Sequence, residues 1–433
     1  MLADNVPAWA PEGTRQARAD LSRLIEPGDL LGSITVSVLG AERTLHLIRS
    51  GQKPSASDQQ NVGEAAESSG LTPRQRKLSE ALARWRTRLA QIGDTQMLRS
   101  LGRQGGGLLI PEDAAWPRQL GDLGAAQPIG LWFRLSGSDD HDPYASVSGH
   151  LPRSGRSVAV VGSREMTDYG GHVAWETARE LAGYSVTVIS GGAYGIDAAA
   201  HRGTLAGAQR GHRPAIAVLA GGVDRLYPAG NEGLFKDVLR HGIVLSEMAP
   251  GSAPTRHRFL QRNRIIAALS AAVVVVEARW RSGALSTAHH AMDIGRPVGA
   301  VPGSVLSASS AGCHRLLRHT PAHVVTDAAD VMELVAAEGP HIGAQAPEVI
   351  ESSQRHAPVE DFFSALDGLD EAARRIYDAL PVRRVTTPGR LSEIAGLPIP
   401  QIFAGLSRLE RTRLVRRSQG GWGRAAPSRD IGS

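Results

Sequence analysis

Between Ser157 and Ala337 short runs of β-branched residues alternate with segments of helical spacing, a pattern that demands crossover units on a parallel sheet. Seven strands are expected: Val158 to Val161, Val186 to Ser190, Ala215 to Leu219, Ile243 to Ser246, Ala272 to Glu277, Val298 to Val301 and His323 to Val325. Ala272 to Glu277 is apolar at consecutive positions until its last residue. Such a run implies helices on both faces and a central place in the sheet. Val173, Thr177, Ala178 and Leu181 form the buried stripe of one intervening helix, while Asp197 and Asn231 are suited to cap two others.

The fold class is therefore α/β, an extended Rossmann-like parallel sheet, here with a helical N-terminal region and a C-terminal winged-helix domain. Residues 1–135 form the N-terminal region, in which Ala17, Leu21, Leu24 and Ile25 share a face and the Ser- and Gln-rich stretch 50–70 reads as a flexible insert. Residues 136–156, with Asp139, Asp140 and Asp142, read as a linker into the Rossmann-like domain of residues 157–337, and residues 338–358 as a second linker. In residues 359–433, Ala373, Ile376, Tyr377 and Leu380 lie on one helical face. Leu391 to Ala395 follows, then Ile402, Phe403, Leu406 and Leu409 on another. A hairpin from Leu414 through Gly420 and Gly421 to Trp422 completes a winged-helix pattern.

The single cysteine, Cys313, excludes an intramolecular disulfide framework and a cysteine-ligated zinc site and suits a reducing compartment, so a cytoplasmic location is expected. The first ten residues do not resemble a signal peptide. The apolar stretch Ala267 to Val276 is far short of the roughly 20 residues of a membrane span, so no membrane contact is expected. Net charge is only +5, yet lysine occurs at Lys53, Lys77 and Lys236 alone, leaving nearly all positive charge on guanidinium groups that grip phosphate and stack on bases.

In an open parallel sheet, ligands bind beyond the carboxyl ends of the strands, where helix N-termini offer free N–H groups. Six consecutive strand ends carry small or polar residues there: Gly162-Ser163-Arg164, Gly191-Gly192-Ala193-Tyr194-Gly195, Gly221-Gly222, Ser246-Glu247, Arg281-Ser282-Gly283 and Pro302-Gly303-Ser304. No acidic residue occurs between Pro250 and Val276, while Arg256, His257, Arg258, Arg262 and Arg264 crowd the approach to a helix at Ile265 to Leu269. With Arg164, Arg279 and Arg281 on the same rim, an extended polyanion fits better than one phosphate. Tyr194 and Phe259 are placed to stack on unpaired bases or to be partly buried packing residues. Neither a dinucleotide fingerprint after the first strand nor a P-loop occurs, and His201, His289 and His290 lack metal-ligand spacing, so no cofactor or metal is expected.

Five ordered blocks, VAVVGSREMTDYG, SGGAYGIDAAAHRGTL, SEMAPGSAPTRHRFLQRNRIIAALS, VVVVEARWRSGALSTAHHA and GRPVGAVPG, resemble successive blocks of the DprA/Smf family. The resemblance implies a protein without enzymatic activity that binds single-stranded DNA, pairs as a homodimer and loads a RecA recombinase during transformation or recombination. It implies DNA contacts at Ser163, Arg164, Gly191, Gly192, Arg258, Arg262, Asn263, Arg264, Ser282 and Gly283. Asp197, His201, Glu247, Pro302 and Gly303 match positions expected to hold the loops. The sequence departs from the family at Tyr194, where many members carry arginine, at Leu260-Gln261, and at His319-Thr320-Pro321 in place of a glycine turn.

Two other functions compete. A nucleotide-binding or nucleotide-hydrolysing enzyme of the same broad superfamily calls for a glycine-rich helix start followed by glutamate, and Ser282 to Ala288 has none. A duplex-DNA regulator would read a groove with the helix Pro400 to Thr412 of the winged helix.

Overall fold

The structure, a computed structural model, describes residues 9–92, 97–136, 143–152, 155–209, 214–337, 370–381, 385–412, 414–418 and 421–424. The chain divides into two compact units, Met1–Ala337 and Glu338–Ser433.

In the first unit nine strands form one sheet: β1 (Gly106–Leu109), β2 (Leu131–Arg134), β3 (Ser157–Val161), β4 (Thr187–Ser190), β5 (Ala215–Leu219), β6 (Gly242–Ser246), β7 (Ala272–Val275), β8 (Val298–Ala300) and β9 (His323–Val324). Their order is β1-β2-β6-β5-β4-β3-β7-β8-β9. The seven strands from β3 to β9 are those the sequence predicts, and all run parallel. Their carboxyl ends therefore share one rim. β7 is an interior strand, paired with β3 and β8.

Alternation along each strand divides the core. Ala159 and Val161 face a layer built on α11 (Arg256–Leu269) and α12 (Ala284–Asp293), whereas Val158 and Val160 face α8 (Asp168–Gly183), α9 (Ile196–Ala206) and α14 (Ala328–Ala337). Val188 and Val274 join the second face, where Ala174, Ala178 and Leu181 of α8 lie fully buried. Farther along the sheet, α10 (Glu232–His241) covers β5 and β6 through Phe235 and Val238.

Residues 1–135 do not form a region separate from this sheet. β2 pairs antiparallel with β6, and β1 with β2, so the N-terminal part supplies two strands that its helical reading missed. The helices α1 (Glu12–Leu24), α2 (Leu30–Leu39), α3 (Ala41–Ser50), α4 (Ala56–Ser68) and α5 (Leu78–Arg86) share a core that includes Leu21, Leu47, Val62 and Trp85. α4 corrects the expectation of a flexible insert at 50–70. Ser55 opens it with a capping box to Asp58, and Val62 and Ala66, four residues apart, are fully buried. The stretch 136–156 is likewise not a bare linker, because Pro143–Val147 is helical and Val147 is fully buried; Asp139, Asp140 and Asp142 lie outside the described residues.

Two capping assignments also change. Gly195, not Asp197, takes the N-cap position of α9, and Asn231 stands at the N-cap of α10 without bonding its backbone.

The second unit contains α15 (Glu371–Ala379), α16 (Pro388–Ala395), α17 (Ile399–Arg411) and the hairpin β10 (Val415–Ser418) and β11 (Gly421–Arg424). Ala373, Ile376, Tyr377, Leu391, Ile402, Leu406, Leu409 and Trp422 form its core, whereas Phe403, expected among them, is exposed. The expected linker 338–358 lies outside the described residues.

Candidate nucleic-acid interface

The strand order reverses between β3 and β7, and the loops after β3, β4 and β5 converge beside α11. Glycine makes the convergence possible. Gly195, at φ +76°, lies so close to the first loop that a Cβ would stand 2.3 Å from Ser163 O. Gly191 faces Arg262, and a Cβ there would meet the guanidinium Nη1 at 2.1 Å. Asn231 fixes the second loop by donating from Nδ2 to the carbonyls of Gly192 (3.0 Å) and Ala193 (3.1 Å). Asp197 accepts from Ala193 N–H at 3.3 Å and also interacts with the Gly162 backbone, which joins the loops after β3 and β4.

An aromatic and cationic cluster stands on this base. Exposed Arg164 lies over the Phe259 ring with its guanidinium carbon 4.6 Å from the centroid, and Arg262 approaches the same ring at 5.9 Å. Tyr227, 50 % exposed, packs tilted against Phe259 with centroids 6.1 Å apart. Tyr194 is also half exposed, and its hydroxyl accepts from Gly230 N–H at 3.3 Å. Phe259 is thus partly buried, whereas Tyr194 and Tyr227 are each about half exposed. Tyr227 was missed by sequence reasoning. Its position after β5, next to Gly221 and Gly222 on the same rim, was the available signal.

Arg262 is only 7 % exposed; its Nη1 donates to Val218 O, and its Nε has no partner. Burial pulls its pKa down to about 10, against the attraction of Asp197 and with the repulsion of Arg164. Burial likewise raises the Asp197 carboxyl despite Arg262 and Arg164. Desolvation outweighs the mutual attraction on both sides, so the cation beneath the glycine loop is incompletely compensated.

Other expected contacts divide differently. Ser163 uses its hydroxyl within its own loop, donating to Glu165 O at 2.8 Å. Asn263 donates to Gly283 O at 3.1 Å, tying α11 to the start of α12, where the Ser282 hydroxyl accepts from Ala284 N–H. Arg258 is paired with Glu26, donating at 2.6 and 3.1 Å. Arg264, 3 % exposed, is gripped by both oxygens of Glu247 at 2.7 and 2.8 Å and donates to Ala126 O. Arg264, expected among the DNA contacts, is thus a buried guanidinium engaged with Glu247 and not an exposed cation.

His201, expected to hold a loop, makes no hydrogen bond from its ring. It is fully buried, neither ring nitrogen has a partner, and burial pushes its pKa down to about 4. Pro302 O accepts from the Tyr169 hydroxyl at 2.8 Å, and Gly303 O lies 3.1 Å from His314 Nε2. These two therefore organise the β8 loop, separate from the Phe259 cluster. Among the described residues no group of three or more metal-ligating side chains occurs, and no helix is long and apolar enough to cross a membrane.

The sheet and its rim define a doubly wound α/β protein whose site combines guanidinium groups, exposed aromatic rings and glycine-lined loops. A family model described as DNA recombination-mediator protein A matches residues 107–336. The putative DNA processing protein DprA of Mycobacterium tuberculosis is 43% identical over 326 residues, 75% of this chain and 78% of that protein. The DNA processing protein DprA of Streptococcus pneumoniae is 42% identical over 175 residues, 40% of this chain and 60% of that protein. The X-ray structure of DNA processing protein A from Streptococcus pneumoniae covers 75% of this chain and 98% of its own, with a TM-score of 0.54 at 27% identity. The chain belongs to the DNA recombination-mediator protein A family.

Proposed function

We propose that this protein binds single-stranded DNA along the rim formed by the loops after β3, β4 and β5, without sequence preference, and presents the strand to a RecA-type recombinase. The observation that carries the reading is the Arg164–Phe259–Arg262 cluster flanked by two exposed tyrosines. Rings with free faces suit unpaired bases, which a duplex keeps stacked inside, and base stacking on such rings contributes about 1–3 kcal/mol per base. Arg164 and the under-compensated Arg262 take the phosphates, and Gly191 and Gly192 let the backbone approach.

The mechanism is one of binding and release, with no covalent step. His201 and Asp197 are buried beneath the glycine loop, where they shape it from below. The proposal includes a recombinase partner, a homodimeric state and a cytoplasmic location, which the family likeness supports, and a winged-helix reading of the second unit, which its three helices and hairpin support.

The test is a titration of the full chain with single-stranded and duplex oligonucleotides of mixed sequence at two salt concentrations. Tight, sequence-independent single-strand binding is expected. With about six phosphates contacted, the log affinity falls with log salt at a slope of about −4. Preference for duplex, or dependence on one sequence, would sink the proposal in favour of a duplex regulator.

A further inference from the structure

In an open sheet of this kind the first position for a nucleotide's phosphate is the crevice where strand order reverses, against the N-terminus of the helix that follows the first strand. Here that crevice lies between β3 and β7, and the helix is α8. It is filled from within.

Glu277, which follows β7, extends its carboxylate into the first turn of α8. Thr167 N–H donates to Oε2 at 3.0 Å, and the Thr167 hydroxyl donates to Oε1 at 2.6 Å. The carboxylate lies so close to the helix that a Cβ on Gly170 would stand 2.5 Å from Oε2. Ser163 N–H donates to Glu277 O at 2.7 Å and closes the neck of the crevice. Glu277 is 2 % exposed, so no second anion has room beside it.

Ordinary helix capping does not account for this carboxylate. The N-cap residue of α8, Thr167, already accepts from Gly170 N–H at 3.1 Å and performs that task. Glu277 comes from 110 residues away and places two carboxyl oxygens where the fold otherwise offers a phosphate seat. We propose that Glu277 is a specificity-determining residue: its carboxylate occupies the phosphate position of the crevice and bars pyrophosphate and mononucleotides from it, while the rim beside β4 and β5 stays open. The inference is independent of what binds the rim, because its test contains no DNA.

The experiment compares the full-length wild type with Glu277→Ala, Glu277→Ser and Glu277→Gln, each with millimolar pyrophosphate or AMP. Melting temperature and amide hydrogen exchange over residues 165–172 are read. Wild type and Glu277→Gln, whose side chain keeps the crevice filled, are expected to show no protection of that segment. The two small variants are expected to gain a melting shift of a few degrees and about tenfold slower exchange there. A merely structural glutamate would leave the small variants destabilised yet blind to pyrophosphate, and that result overturns the proposal. Protection of residues 165–172 in the wild type overturns it equally, and this second measurement decides the matter should the small variants not fold.

Discussion

The guanidinium of Arg164 rests 4.6 Å from the centroid of the Phe259 ring, so the one exposed arginine of the β3 loop is held by an aromatic side chain of α11. A cation on such a ring is positioned by the ring's negative face and not by a salt bridge.

Phe259→Ala therefore removes both a ring and the support of Arg164. It is expected to weaken single-strand binding by about 1–3 kcal/mol, at least as much as Arg164→Ala, which loses a charge-assisted contact of similar size. Fluorescence anisotropy with a short oligonucleotide compares them. Wild-type affinity in both variants would remove the rim as the site.

Gly191→Ala places a methyl group 2.1 Å from Arg262 Nη1 and must displace the guanidinium from Val218 O. Stability is expected to fall by about 1–3 kcal/mol, the cost of overpacking, and single-strand affinity to fall as well. A denaturant melt together with the anisotropy titration checks both effects.

Arg264→Ala acts on folding instead. It leaves Glu247, partly buried, without its cation, a loss of up to about 3 kcal/mol, whereas DNA affinity of the folded fraction stays close to wild type. Arg262→Ala reverses this pattern, with its larger effect on affinity. The pair of variants separates clamp from contact when urea melts and titrations are run on both.

For His201 the sign follows from its depressed pKa of about 4 against an ordinary 6.5. The unfolded chain takes up the proton first. Its contribution to stability is therefore fully present above pH 6.5 and is lost progressively as pH falls toward 4, about 3 kcal/mol in all. The Asp197 carboxyl, raised by burial, acts in the opposite sense in the acid range. The informative quantity is thus the stability of wild type relative to His201→Leu, which should fall on acidification; a difference constant from pH 7 to pH 4 contradicts the assignment.

The parallel strands were legible chiefly where apolar, β-branched residues run together and are buried on both faces, as in Val273 to Val275. β1 and β2 were not, since Gly106-Gly107-Leu108-Leu109 and Leu131-Trp132-Phe133-Arg134 show no alternation and join the sheet only through partners far along the chain. α4 escaped because its two buried residues sit among polar ones, although Ser55 and Asp58 carried the capping signal. At the site, the residue types were readable and their division of labour was not. Arg258 and Arg264 look alike in sequence, but Glu26, which pairs with the first and also with Arg88, lies 232 residues from Arg258, and Glu247, which pairs with the second, is 17 away. Only folding decides which arginines remain available.

The pairing of β2 with β6, through Trp132, Phe133 and Arg134 opposite Ser246, Leu245 and Val244, governs how this protein can be dissected. A fragment cut at the compositional boundary near residue 157 would retain every rim loop yet strip β6 of its neighbour. The bare backbone of Gly242–Ser246 would then invite strand exchange with other copies. Expression pieces beginning before Gly106 keep that margin sealed, so behaviour on a sizing column should change with a shift of a few dozen residues at the start.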